Sequence, residues 1–181
     1  GRSLTLTLLS YVFYGWWDPR FSLLMLVSTL IDYVSGRIIS AEGGTPASRK
    51  GALITSIVSN LGILAFFKYA IFFAENLGAV TTFFGGDAPA MPIFLSHLVL
   101  PVGISFYTFQ SMSYSIDLYR GHASPARSFV DFACYVSMFP QLVAGPIVRY
   151  GSVADQLRHR SHTLEGFVAG MTRFNYGFAK K

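Results

Sequence analysis

The sequence predicts an all-α, polytopic transmembrane protein with a broken or re-entrant segment and an amphipathic helix. Hydrophobic residues make up 52% of the 181 residues and charged ones only 13%, roughly half the charged share of an average soluble domain. The polar residues are gathered into short clusters between apolar stretches, instead of being spread as a water-facing surface would require. Several of those stretches approach or reach the ~20 residues that a bilayer-spanning helix needs. The formal charge of +5 would suggest nucleic acid for a soluble chain. Here Lys and Arg flank the apolar segments, as expected for anchors to membrane lipid, and no nucleic-acid partner is expected.

The spans follow in order. The first, Leu4 to Trp17, ends in the aromatic group Tyr14, Trp16 and Trp17, suited to a headgroup region, and Asp18-Pro19-Arg20 breaks it. The second runs from Phe21 to about Gly36 and the third from Gly51 to about Ala74. The fourth is expected from Met91 to Tyr119, with Pro92 and Pro101 in its early part. A fifth apolar stretch, Phe129 to Val148, is interrupted by Pro140 and Gly145-Pro146, and Thr163 to Lys181 reads as an amphipathic helix. Gly1 is not an initiator Met, no signal-peptide pattern follows it, and GFAKK stops inside a helical pattern. Residues 1–181 are therefore expected to be one membrane-embedded region of a longer protein.

Loop charge sets the expected orientation, because cytoplasmic loops carry an excess of Lys and Arg. Arg37, Arg49 and Lys50 put the second loop inside, while the loop from Glu75 to Met91, without Lys or Arg, belongs outside. Alternation then puts Arg120 to Arg127 inside. A spanning fifth segment would push Arg149, Arg158 and Arg160 outside, against their charge. The conflict disappears if Phe129 to Val148 dips into the membrane and returns, which the Pro and Gly-Pro breaks permit only where protein or water encloses the backbone. A kinked spanning helix is the alternative.

Polar groups inside a span are costly and usually face a bundle interior or cavity. Tyr107, Gln110, Tyr114 and Asp117 are spaced i, i+3, i+7, i+10 and so share one helix face. They are candidates either to line a polar path or to hold helices together. Ser28, Asp32 and Ser35 repeat the pattern and are assigned to packing, and Asn60 to an interhelical hydrogen bond. Lys68 is expected to snorkel to the headgroups from the outer end of its helix. Cys134 is the only cysteine, which excludes an intrachain disulfide and a multi-cysteine metal site. His97 is expected to be structural, and His122, His159 and His162 to be solvated. No metal site, Ser-His-Asp set or phosphate loop is present as a motif.

Leu100 to Gly121, LPVGISFYTFQSMSYSIDLYRG, and Phe139 to Tyr150, FPQLVAGPIVRY, resemble signature segments of the membrane-bound O-acyltransferase (MBOAT) family. The similar branch contains alginate O-acetylase and peptidoglycan O-acetyltransferases. SYVFYGWW at Ser10 to Trp17 and FKYA at Phe67 to Ala70 match in order, so the resemblance covers nearly the whole chain. It implies a ring of helices around a thinned centre in the bacterial cytoplasmic (inner) membrane. A cytoplasmic donor, acetyl-coenzyme A or a carrier thioester, would meet an extracytoplasmic polysaccharide such as alginate or peptidoglycan, or a partner acyltransferase, in a tunnel. No cofactor is expected to stay bound.

The family's presumed catalytic histidine lies in a later WHG segment, expected beyond Lys181. No catalytic residue is therefore assigned within residues 1–181, and the chain alone is expected to be inactive. Candidates for the tunnel are Tyr107, Gln110, Tyr114, Asp117, Gln141, Gly145 and Pro146, and for the donor side Arg120, Arg127 and Arg149. Broken helices and a polar stripe would equally suit a transporter or exporter, and a structural scaffold is the third reading.

Overall fold

The computed structural model describes residues 2–16, 18–86, 99–158 and 163–180, with side chains left out at 2, 140, 143, 144 and 155–158. Trp17, Asp87, Met91, Pro92, His97, His159, Arg160 and His162 lie outside the described residues, and so do the expectations placed on them. Among the described residues the secondary structure is entirely helical: α1 (Arg2–Gly15), α2 (Pro19–Ile39), α3 (Pro46–Phe83), α4 (Ile104–Tyr119), α5 (Phe129–Ser137), α6 (Phe139–Ala144), α7 (Tyr150–Arg158) and α8 (Leu164–Ala179). Two helices, α2 and α3, are long and apolar enough to cross a membrane.

Local chemistry explains the boundaries. Asp18-Pro19 separates α1 from α2, and also starts α2: the Asp18 carboxylate accepts from the Arg20 amide at 2.9 Å and Pro19 sits in the first turn. Thr45 and Pro46 open α3 in the same way, the Thr45 hydroxyl accepting from the Ser48 amide at 3.2 Å. Ser128 caps α5 and donates to the Asp131 carboxylate at 2.8 Å while accepting from its amide at 3.1 Å.

Two expected boundaries are corrected. Helix α3 does not stop near Ala74 but continues to Phe83, 38 residues in all. Glu75 and Asn76 are exposed good or tolerable helix residues, and the chain turns only at Gly85, whose φ is 80°. The connection after α3 therefore starts later than expected, and Lys68 lies well inside α3 instead of near its end, its ammonium 5.5 Å from the Tyr69 ring centroid. Helix α4 begins at Ile104, so Pro101 precedes it. Proline disfavours helical backbone at residue 100, and Gly103 then takes a left-handed φ of 77° as the N-cap.

The bundle interior combines an apolar core that includes Met25, Ile39, Ile104 and Phe132 with many polar groups, among them Ser28, Thr29, Asp32, Ser56, Asn60, Gln110, Ser111 and Ser115, while Leu8, Val12, Leu23, Val58 and Phe73 are exposed. Water would penalise so much apolar exterior, whereas lipid imposes no such penalty and requires polar groups to be satisfied internally. The protein is accordingly a membrane protein.

Helix α2 packs against both α3 and α4, and α1 against α5. Helices α2 and α4 come close at Gly36, where a Cβ would meet the Tyr114 ring at 2.7 Å and Leu118 at 2.9 Å. Gly36→Leu should drive Tyr114 off its seat and lower the thermal midpoint of the full-length protein by several degrees, as overpacking typically costs roughly 1–3 kcal/mol. An unchanged midpoint would show that the α2–α4 contact gives way freely.

Candidate functional site

The face of α4 identified from its spacing is buried along its length: Tyr107 is 0%, Gln110 2%, Tyr114 0% and Asp117 8% exposed. Each turn of it meets a different neighbour. The Tyr107 ring stands edge-on to Tyr14 of α1, with centroids 6.5 Å apart, and its sealed hydroxyl has no hydrogen-bond partner among the described residues. The Gln110 amide donates to the Tyr135 carbonyl at 2.8 Å and lies 3.5 Å from the Gln141 side-chain oxygen. The Tyr114 ring sits 4.4 Å from Phe132 and 5.0 Å from Tyr150, and its hydroxyl accepts from the Ala126 amide at 3.0 Å.

These contacts trace the path of residues 129–150. Helix α5 starts beside the C-terminal half of α4, where Phe132 meets Tyr114. The chain bends at Met138 (ψ 108°), and α6 ends beside the start of α4, where a Cβ on Gly103 would fall on the Leu142 carbonyl oxygen. From Gly145 it is extended. The Tyr135 hydroxyl holds the Val148 carbonyl at 2.6 Å, and Tyr150 closes back onto Tyr114, Phe132 and Tyr135. Both ends of the segment thus lie at one level of α4 and its middle at another.

That path sorts the remaining candidates. Gln141 and Gly145 are half-buried beside α4, while Pro146 is exposed. Arg120, Arg127 and Arg149 are all exposed and lie towards one end of the bundle, since Gly151 approaches His122 and Ala123 and Gly36 approaches Leu118. Arg37, Arg49 and Lys50, which flank the α2–α3 loop, belong to that same end. His122 is exposed there.

A second polar constellation was only partly anticipated. Asp32 of α2, 0% exposed, accepts from the Asn60 side-chain amide at 2.8 and 2.9 Å and from the Ser56 hydroxyl at 2.6 Å. The Ser56 hydroxyl also lies 2.8 Å from that of Ser115 of α4; with its one hydrogen directed at Asp32, it is the acceptor there. Ser28 completes the set by donating to the Asn60 carbonyl oxygen at 3.0 Å. Asn60 makes the interhelical bonds expected of it. What the sequence reading missed is that α2, α3 and α4 share one network, signalled only by Ser56/Asn60 and Ser111/Ser115 at i, i+4. The aromatic cage of Phe132, Tyr135 and Tyr150 was missed as well.

No group of three or more His, Cys, Asp or Glu among the described residues could hold a metal ion. The site offers buried hydroxyls, amides and backbone carbonyls next to an aromatic cage, with exposed guanidinium groups towards one end. Such an arrangement can orient polar groups of a substrate and attract an anion. Among the described residues it pairs no nucleophile with a base.

The chain is 44% identical over 180 residues to the probable alginate O-acetylase AlgI of Pseudomonas aeruginosa, covering 99% of this chain and 34% of that protein. Against the probable alginate O-acetylase AlgI of Azotobacter vinelandii it is likewise 44% identical, covering 99% of this chain and 35% of the relative. The peptidoglycan O-acetyltransferase of Helicobacter pylori is 28% identical over 206 residues, covering 98% of this chain and 37% of the relative. The chain thus spans about a third of the length of these curated relatives. No family model matches it, and no solved structure matches it. The resemblance read from Leu100 to Gly121 and Phe139 to Tyr150 is borne out by relatives named as probable alginate O-acetylases and as a peptidoglycan O-acetyltransferase.

Proposed function

We propose, from the premise that this chain is homologous over 99% of its length to alginate O-acetylases, that it is a section of a bacterial membrane O-acyltransferase. The reaction is transfer of an acetyl group to a hydroxyl of an extracytoplasmic polysaccharide such as alginate or peptidoglycan. In this reading the donor, acetyl-coenzyme A or a carrier thioester, approaches from the cytoplasm, and the protein is multi-pass in the inner membrane. The homology is the observation that carries the proposal, and it favours an enzyme over the transporter reading.

The geometry fits that chemistry in a specific way. An acyl group that must pass from one side of a bilayer to the other needs a protein-enclosed polar route, because lipid offers no hydrogen bonds. The buried face of α4 and the folded-back segment 129–150 lie against each other and supply such groups: Tyr107, Gln110, Tyr114, Gln141 and the carbonyls near Gly145. Read in a membrane, the segment enters and returns on one face, which keeps Arg149 with Arg120 and Arg127. Those arginines suit an anionic, phosphate-bearing donor. The residue that takes the acceptor's proton is expected in the later WHG segment, so the present residues bind and orient.

Gln110 is the most direct test, since it joins α4 to α5 and α6. In the full-length protein, Gln110→Leu leaves the Tyr135 carbonyl unpaired and removes an amide from the route. Acetylation of the polysaccharide should fall by about tenfold or more, as loss of one oriented donor costs on the order of 1–3 kcal/mol, with membrane-inserted protein near the wild-type amount. Unchanged turnover would remove the α4 face from the reaction path.

A further inference from the structure

We infer that Tyr114 and Tyr135 are positioning residues, which hold Arg127 and Arg149 at fixed points of the bundle end to receive the phosphate of a pantetheine-type acyl donor. The inference rests on the acyltransferase reading above. Both tyrosines belong to one aromatic cage, in which the Tyr150 ring centroid lies 5.0 Å from that of Tyr114 and 5.2 Å from that of Tyr135. Each is buried, and each turns its hydroxyl to the backbone of the residue immediately before an arginine. The Tyr114 hydroxyl accepts from the Ala126 amide at 3.0 Å, and the Tyr135 hydroxyl donates to the Val148 carbonyl at 2.6 Å.

The chain is fixed after each arginine as well. Ser128 caps α5 by accepting from the Asp131 amide at 3.1 Å. Tyr150 is in the cage, and the Arg149 carbonyl accepts from the Ser152 amide at 3.1 Å and its hydroxyl at 2.7 Å. Both arginines are nevertheless exposed. Their segments are neighbours, since a Cβ on Gly151 would lie 3.8 Å from the His122 carbonyl oxygen and 4.0 Å from the Ala123 side chain. A mobile loop would have to be ordered when an anion binds, whereas a backbone held on both sides leaves only the side chain to order. Guanidinium groups set in this way suit phosphate, which they meet with paired, charge-assisted hydrogen bonds. Acetyl-coenzyme A and a carrier-borne acetyl thioester share that phosphate chemistry.

The test compares donors with and without phosphate on the full-length protein in a maltoside detergent. The donors are acetyl-coenzyme A, acetyl-phosphopantetheine and S-acetyl-N-acetylcysteamine, which has the same reacting thioester and no phosphate. In Tyr135→Phe, and separately in Arg149→Gln, the kcat/KM for acetyl-coenzyme A relative to the phosphate-free donor should fall about tenfold, mainly through KM, as expected for one lost charge-assisted hydrogen bond. Adding Tyr135→Phe to Arg149→Gln should lower the ratio no further, because the hydroxyl acts through that arginine. Tyr114→Phe and Arg127→Gln should behave as a second such pair. A loss shared by acetyl-phosphopantetheine places the contact at the phosphate that a carrier also bears, and a loss confined to acetyl-coenzyme A places it at the nucleotide phosphates. Equal losses with all three donors would mean that the hydroxyls only support the fold, and additive losses that they do not act through the arginines; either overturns the proposal. So would an unchanged ratio accompanied by weaker retention of anionic lipid, which would assign the arginines to headgroups. Absence of turnover with every donor in the unaltered protein is a separate result, which would sink the acyltransferase reading and this inference with it.

Discussion

Asn60→Leu should be among the most damaging single substitutions in this region, lowering the thermal midpoint of the full-length protein in detergent by 5 °C or more. The side-chain amide of Asn60 donates to the carboxyl of Asp32, which is 0% exposed, and to the Ser56 backbone carbonyl at 2.9 Å, and in leucine nothing replaces these bonds. Hydrogen bonds to charged groups contribute about 1.5–3 kcal/mol each, and water cannot enter an apolar bundle to compensate. The informative comparison is the double variant Asp32→Leu, Asn60→Leu. Removing both partners abolishes the unmet carboxyl, so the double variant should be more stable than Asn60→Leu alone. A strictly additive further loss would mean that the network contributes by shape and not by its polar bonds.

The second large effect is expected at Gly103. Its φ of 77° lies in the left-handed region, where an L residue costs roughly 1–2 kcal/mol, and a Cβ there would collide with the backbone of Leu142. Backbone cannot swing aside as a side chain can. Gly103→Val should therefore separate the start of α4 from α6, and with it shift Gln141 away from Gln110. Acetylation by the full-length protein should fall at least a hundredfold while the Asp32 network, farther along α4, keeps the bundle assembled. Near-normal turnover in Gly103→Val would show that the α4–α6 contact is dispensable to the reaction.

Much of this arrangement was legible in the sequence because a membrane makes polarity informative. Tyr107, Gln110, Tyr114 and Asp117 stand out as polar residues in an apolar helix, and their spacing alone placed them on the face that is buried. The path of residues 129–150 was less legible. Pro140 and Gly145-Pro146 signal a break, but the observed bend at Met138 and the contact of Leu142 with Gly103 depend on partners almost forty positions apart in the chain. Serine caused the opposite problem: Ser56 and Ser115 are common helix residues, and only the packing of α2, α3 and α4 brings them into a relay to Asp32. The end expected near Ala74 follows the apolar run, but a carboxylate such as Glu75 on an exposed helix surface does not stop a helix.

That misread end of α3 has a geometric consequence. The 38 residues from Pro46 to Phe83 make a rod about 57 Å long, nearly twice the ~30 Å thickness of a hydrocarbon core. Even at a tilt of 40°, near the limit for membrane helices, it would still rise about 44 Å. The apolar run from Gly51 to Ala74 accounts for about 36 Å of that length. The nine residues from Glu75 to Phe83 add about 13 Å, so a helix that places Gly51 to Ala74 in the hydrocarbon carries this end past the lipid tails as a rigid extension.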